Sequence, residues 1–193
     1  MFKKTILVCM WASAGAVAAE AGLSTGNGSI EEDRSMCVIR TVREVIDYGV
    51  LSRWQLQETS RAGELTPGAR TLPVTVACPY AQSFRLRIDG TSSVAGQVRY
   101  GRSGWLKLQA SNLRVDGMFS GMTVASPDKG SRSVSVGNAA LEDGSVIIPN
   151  NGGQAVTGRT VTFDLVIEPR LAEKDNRVTV PLESEAGLRI TLE

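Results

Sequence analysis

The residues that could do chemistry in this 193-residue chain are few, and histidine is absent. Without histidine there is no Ser-His-Asp triad, no Cys-His pair and no histidine-ligated zinc or haem. A lysine lies close in sequence to a serine at Lys129 and Ser131, but there the pair sits in a Pro-Asp-Lys-Gly turn, where exposed polar residues are expected. We therefore expect no enzymatic activity.

Carboxylates occur singly, in segments rich in turn residues. They include Asp89, Asp116, Asp128, Asp143 and Asp175. A glycosidase needs two carboxyl groups that converge on one bond, so a hydrolase without histidine would require such a pair in a cleft. No EF-hand spacing is present, and Asp with Gly in loops is typical of turns. We expect no catalytic residues, no metal site and no cofactor.

The N-terminus carries an export signal. Lys3 and Lys4 precede an apolar stretch, Thr5–Trp11, and the small residues of 12–19 then lead into Glu20. This pattern predicts a signal peptide over residues 1–19, cleaved after Ala18 or Ala19. The apolar run is shorter than the ~20 residues that span a bilayer, and no later segment is long enough, so we expect no transmembrane segment after cleavage. We expect the mature protein to be soluble and to lie outside the cytoplasm.

Cleavage changes the charge and the cysteine count. Removal of Lys3 and Lys4 with the signal peptide leaves 21 − 2 = 19 basic residues against 20 acidic ones. This near-zero net charge predicts no nucleic-acid partner. Cys37 and Cys78 are left, and an even pair in an exported protein predicts a disulfide. Two cysteines without histidine are too few for a closed zinc site, and their spacing is unlike the C-x-x-C of redox pairs.

Residues 20–36 are small, polar and acidic, which predicts a flexible leader, and residues 37–193 form one domain of period-2 segments separated by turns. The clearest alternation is Val161, Phe163, Leu165 and Ile167. Thr41–Asp47 is the best helical candidate, but its β-branched residues suit a strand equally well. About nine strands at regular spacing predict an all-β fold, an antiparallel sandwich or barrel.

Two sets of side chains are candidates for a ligand surface. Trp54 and Trp105 could stack on a sugar ring, and Arg85 and Arg87, with Arg99, Arg102 and Lys107, could form a basic face. The alternative is that buried tryptophans belong to the core and that charges occupy the solvent face of a sheet. A small exported carbohydrate-binding or adhesive module with a self-complete fold is the function that the first interpretation supports.

Leu188, Ile190 and Leu192 place a last alternating strand directly at the C-terminus. Such a strand either pairs inside the sheet or borders an edge. At an edge, its unpaired backbone would accept a strand from another chain by β-augmentation.

Several segments together resemble the chaperone–usher fimbrial subunits. They are Cys37 with Val45–Gly49 and Leu51, then Leu72–Cys78 followed by Phe84–Gly90. The spacing of the two cysteines, which in that family bridge the first two strands, fits as well. The closing residues are similar to those of fimbrial-like exported proteins of Gram-negative bacteria: Thr162, Phe163, Pro169, Val180–Leu182 and Gly187–Leu192.

The resemblance implies an immunoglobulin-like antiparallel β-sandwich of the pilin type with an incomplete sheet. Leu188, Ile190 and Leu192 would border the resulting groove. A periplasmic chaperone's strand would fill it until a neighbouring subunit's strand takes its place, with an outer-membrane usher as a further partner and a surface fimbria as the destination. The sequence departs from the family twice: Leu192 stands where the family has an aromatic residue, and the leader is poor in alternating apolar residues. The poor leader favours a tip or terminal position, or a non-polymerising relative with a completed fold.

Overall fold

The computed structural model describes residues 2–6, 36–91, 93–134, 137–176 and 183–193. Besides two short 3-10 helices, Arg53–Gln55 and Glu173–Asn176, the regular structure of these ranges consists of strands. In chain order they are β1 (Phe2–Ile6), β2 (Val38–Thr41), β3 (Ile46–Leu51), β4 (Gln57–Glu58), β5 (Glu64–Thr66), β6 (Arg70–Ser83), β7 (Leu86–Gly90), β8 (Ser93–Val94), β9 (Gln97–Tyr100), β10 (Gly104–Val115), β11 (Met118–Phe119), β12 (Gly121–Ser126), β13 (Gly130–Val134), β14 (Ala139–Leu141), β15 (Ser145–Asn151), β16 (Gln154–Ala155), β17 (Thr157–Ala172) and β18 (Leu188–Leu192).

The larger sheet is built around three long strands and has the order β2-β6-β17-β10-β9-β8. All of its pairings are antiparallel, and β17 aligns Phe163 with Val74 of β6 on one side and Ile167 with Leu108 of β10 on the other. Short strands β14 and β11 also pair with β10, and β5 pairs with the end of β17.

The second sheet has the order β13-β12-β15-β7-β18, with β16 paired to β15. Among the described residues its two edges are therefore β13 and β18. Strands β1 and β3 form a separate antiparallel pair.

Alternating side chains from both sheets fill one core. Along β17 every second residue from Val161 to Leu171 is buried, as the alternation predicted. The second sheet contributes Leu86 and Ile88 from β7 and Leu188 and Ile190 from β18. The prediction of an all-β antiparallel sandwich is confirmed, and the arrangement is consistent with an immunoglobulin-like fold. In the described ranges no helix has the length and apolar character needed to cross a membrane.

Several local predictions differ from the structure. The segments at Trp105–Leu108 and Leu113–Val115 are one strand, because Asn112 takes a positive φ of 53° at a register shift and lets β10 continue. Thr41–Asp47 is not helical; it spans the end of β2, an irregular link and the start of β3. The predicted leader lies almost wholly outside the described residues, as do most of the predicted signal peptide and the alternation at Val178 and Val180.

Candidate strand-acceptor edges

The C-terminal strand β18 forms one edge of the second sheet. It pairs antiparallel with β7, with Leu188 opposite Gly90 and Leu192 opposite Leu86. The side chains of Leu188 and Ile190 are buried in the core, and that of Leu192 is half-buried against it. The three residues that the sequence placed in a last strand therefore share one face of β18.

The hydrogen bonds between β18 and β7 fix the direction of each backbone group. The N–H of Glu193 donates to the carbonyl of Arg85 at 2.9 Å, and the N–H of Thr91 donates to that of Gly187 at 3.0 Å. In an antiparallel ladder bonded and non-bonded pairs alternate, so Arg189 and Thr191 also point their backbone groups at β7. The N–H and C=O groups of Leu188, Ile190 and Leu192 consequently point outward, and no strand of the described residues pairs with them.

Two arginines fasten the end of β18. Glu193, the last residue, forms ion pairs with Arg87 and with Arg85, the latter at 3.6 Å. The hydrogen bond from Arg87 to Glu193, together with the negative charge of Glu193, raises the pKa of the Arg87 guanidinium. Both arginines thus offset the negative charge of the Glu193 side chain at the end of β18.

Strand β3 is the second edge. Its residues Ile46 and Tyr48 are buried, and the Tyr48 hydroxyl donates to the carbonyl of Ile167 in β17 at 3.1 Å. The guanidinium of Arg70 lies 5.6 Å from the centre of the Tyr48 ring. Burial raises the pKa of Tyr48 well above its ordinary value. These contacts hold β3 on the core through side chains, without a backbone ladder to either sheet among the described residues.

The backbone of β3 pairs with the N-terminal strand β1. Phe2 lies opposite Leu51 and Ile6 opposite Ile46, with an irregularity between Lys3 and Thr5. Strand β1 belongs to the predicted signal peptide. The edge of β3 that it covers in the full chain is therefore the edge that signal removal would expose.

Tyr100, the last residue of β9, lies near residues of both edges. Its side chain is fully buried, which raises the pKa of its hydroxyl, and Tyr48 and Asp47 raise it further. The next residue, Gly101, donates its N–H to the carbonyl of Glu185 at 2.9 Å, in the segment that leads into β18. The Tyr100 hydroxyl has no hydrogen-bond partner among the described residues. Tyr100 and Gly101 thus lie near strand β3 and near the segment that leads into β18.

A groove of about 580 Å³ opens beside β3, between the β2–β3 link and the start of β6. It forms because β2 pairs only with Val74–Ala77 of β6, which leaves the preceding residues of β6 uncovered on that side. Its lining includes Arg43, Asp47 and Arg70. The groove is an open gap in the wall of the sandwich beside the edge of β3.

The predicted disulfide is confirmed. Cys37 and Cys78 are bonded, and the bond fastens the start of β2 to β6, with the Gln82 side-chain amide donating to both sulfur atoms. Strand β2 is thus covalently attached to β6 at its N-terminal end. At its C-terminal end the chain leaves the larger sheet and continues through a link to β3.

The residues predicted to form a ligand surface are separated. Arg87 lies on β7 of the second sheet and Arg85 directly before that strand, whereas Trp105 lies on β10 of the larger sheet, opposite Arg99. Trp54 lies in the 3-10 helix after β3 and is 92% exposed. The structure does not bring these residues into one face, because period-2 alternation indicates a face of a strand but not the sheet to which that strand belongs.

Asp143 and Asp116 lie in turns, and their carboxylates hold those turns to distant segments, whereas Asp89 lies in β7. Asp143 accepts the N–H of Gly90 at 2.6 Å, and Asp116 accepts those of Arg159 and Thr160. Asp89 lies near Asp143, and its pKa is raised first by burial. No group of three or more potential metal ligands occurs within the described part of the chain.

Sequence reasoning missed the edge of β3 and the role of Tyr48 as its anchor. The alternation of Ile46 and Tyr48 was a signal for a half-buried strand. Residues 1–19 match an export signal, and no pattern in them indicates that Phe2–Ile6 pairs with β3. No family model and no curated protein matches this chain.

Proposed function

We propose that this protein is a structural subunit, or a subunit-like protein, of a bacterial surface fimbria, assembled by donor-strand exchange. It is exported to the periplasm, where a chaperone supplies a strand. An outer-membrane usher and other fimbrial subunits are its further partners, and a tip or terminal position suits its leader.

The outward backbone of β18 carries this proposal. The N–H and C=O groups of Leu188, Ile190 and Leu192 are free of strand partners among the described residues, and the same residues place their side chains in the core. A strand added at this edge gains backbone hydrogen bonds, each worth about 1 kcal/mol net. It also extends an apolar core, which adds roughly 25 cal/mol for each Å² of apolar surface buried.

The pairing of β1 with β3 supports the same function. A strand from outside residues 37–193, Phe2–Ile6, lies antiparallel on the edge of β3, which supports strand addition at this edge. Export would remove that strand and leave the edge of β3 to a strand from another chain.

Amide hydrogen exchange of the protein purified from the periplasm tests the proposal. In the protein alone, the amides of Ile190 and Leu192 exchange fast, whereas those of Arg189 and Thr191 are protected by β7. A co-expressed chaperone or an added peptide of residues 2–8 is expected to slow amide exchange in one of two places. Either the amides of Ile190 and Leu192 become protected selectively, or the amides of β3 do.

The β13 edge provides the control, because its amides should not respond to either partner. Equal protection of all four β18 amides in a stable monomer that recruits no chaperone would mean a closed edge. The proposed assembly would then be wrong. Glycan binding by such a monomer would favour the carbohydrate-binding alternative instead.

A further inference from the structure

Trp54 is the most exposed large apolar side chain of the described residues, at 92%. Tryptophan is the residue type with the largest apolar area to bury and is enriched at the centres of protein interfaces. An indole presented almost wholly to solvent is therefore a candidate contact for a partner.

The backbone that carries Trp54 is fixed on both sides. The Ser52 N–H donates to the Gln55 side chain at 2.7 Å, and the Gln55 N–H donates back to the Ser52 carbonyl at 3.1 Å. Arg53 bonds Glu173 at 2.9 Å, beyond the end of β17. Leu56, two residues on, is buried in the core. The turn is thus anchored by its neighbours while Trp54 itself projects from it.

Trp54 lies directly beyond the end of the strand-acceptor edge of β3. β1 runs antiparallel to β3 and its N-terminal residue, Phe2, lies opposite Leu51. Residues that precede a strand bound in this register therefore continue past Leu51 towards Trp54. Trp54 is three positions after Leu51, a reach of at most about 10 Å.

We propose that Trp54 is a specificity contact for the partner that donates a strand to β3. The partner carries an apolar side chain one to three positions before the first residue of its paired strand, and this side chain packs on the Trp54 indole. The inference rests on the proposed function, since it assumes that β3 accepts a strand from another chain.

Two peptides test it against the protein purified from the periplasm. Both contain residues 2–8, and each is extended at its N-terminus by three residues, either with leucine or with serine at all three. Binding is measured with the wild-type protein, with Trp54→Ala and with Tyr80→Ala. Tyr80 is a matched control because its aromatic side chain is also exposed, at 62%, and lies towards the C-terminal end of β6.

The leucine extension is expected to improve binding about tenfold to the wild-type protein and to Tyr80→Ala, the range of a moderate interface contact. In Trp54→Ala this gain should disappear, with an unchanged melting temperature because the side chain is exposed. The gain is the difference between the two peptides, so it isolates the contact in the manner of a double-mutant cycle.

The outcomes separate the inference from the function. If both peptides bind and the leucine gain survives in Trp54→Ala, the Trp54 contact is wrong and strand acceptance stands. If neither peptide binds any of the three proteins, strand acceptance at β3 fails and the inference fails with it. Loss of binding to a glycan in Trp54→Ala, with the leucine gain intact, would assign the indole to a carbohydrate instead.

Discussion

The two edges of the second sheet differ in what a further strand would find there. Strand β13 exposes Ser131, Arg132 and Ser133 to solvent. Strand β18 alternates buried Leu188 and Ile190 with exposed Arg189. Both edges lack a second strand partner among the described residues, so backbone groups are open at each.

The difference lies in the side chains that flank those backbone groups. Strand β13 carries a charged side chain, which is one means by which natural edge strands resist pairing. The hydroxyl of Ser133 on the same strand already forms a 2.9 Å hydrogen bond with Thr123 of β12. At β18, the outward backbone groups belong to the residues that fill the core. A strand added at β18 would extend that core, whereas a strand added at β13 would gain backbone hydrogen bonds alone.

A third edge, β2, sharpens this comparison, because a covalent bond holds it. Replacing both cysteines in Cys37→Ser/Cys78→Ser opens a loop with a sequence separation of 41. The chain-entropy relation then predicts a loss of about 4 kcal/mol in the free energy of unfolding.

Urea denaturation of the oxidised wild-type protein and of the double variant measures this loss, provided that the unfolding free energy of both depends equally steeply on urea concentration. A change below about 1 kcal/mol, the size of a single hydrogen bond, would mean that the ladder between β2 and β6 suffices without the bond.

The edge comparison itself predicts unequal effects of small substitutions. Ile190→Ala removes a side chain that is 5% exposed from the core and is expected to cost about 3 kcal/mol. Ser133→Ala on β13 is expected to change stability by less than about 0.5 kcal/mol, as exposed substitutions do. Midpoints of denaturant unfolding for the two variants provide the measurement. Similar losses at both positions would remove the distinction between an apolar and a polar edge.

Much of this arrangement could be predicted from residue patterns. The alternation of Val161 to Ile167 located the central strand β17, and Leu188, Ile190 and Leu192 located a final strand that lies at an edge. The cysteine count after signal removal predicted the disulfide. Each of these rests on local periodicity or on chemistry that a short segment carries by itself.

What depended on pairing between distant segments could not be predicted. Arg87 and Arg99 carry the same outward alternation, yet they belong to different sheets. Arg87 binds Glu193 at the far end of the chain, a partner chosen by the register of β18 on β7. Residues Phe2–Ile6 belong to the predicted export signal and also pair with β3, and local periodicity does not reveal which distant segment a strand pairs with.

The side-chain contact that anchors β3, from Tyr48 to β17, can be weakened by a substitution that leaves the backbone pairing of the edge strands unchanged. Tyr48→Phe loses the hydrogen bond to Ile167 and is expected to cost about 1 kcal/mol. Tyr100→Phe removes a buried hydroxyl without a partner among the described residues, so its stability at pH 7 should stay equal or rise. A loss in Tyr100→Phe as large as that in Tyr48→Phe would mean that its hydroxyl is satisfied.

The same tyrosines predict a dependence on alkaline pH. Burial raises the pKa of both in the folded protein, so their contribution to stability is complete below the unfolded pKa of about 10 and is lost as the pH rises above it. Each phenylalanine variant should therefore show a shallower loss of unfolding free energy above pH 10 than the wild-type protein. An unchanged slope in both variants would contradict the burial of these hydroxyls.

The smallest expected effect concerns Asp89, which lies on β7 opposite Arg189 of β18. Burial is the main cause that raises the pKa of its carboxyl group, against the opposing charge of Arg87. A raised carboxyl pKa stabilises the folded state below the unfolded pKa, and this contribution is lost as pH rises through the folded pKa. Asp89→Asn should therefore gain stability relative to the wild-type protein between pH 3 and pH 7. Asp128→Asn, in an exposed turn beside β13, is the matched control, and the difference between the two titrations measures how far β18 shields its neighbour on β7 from water.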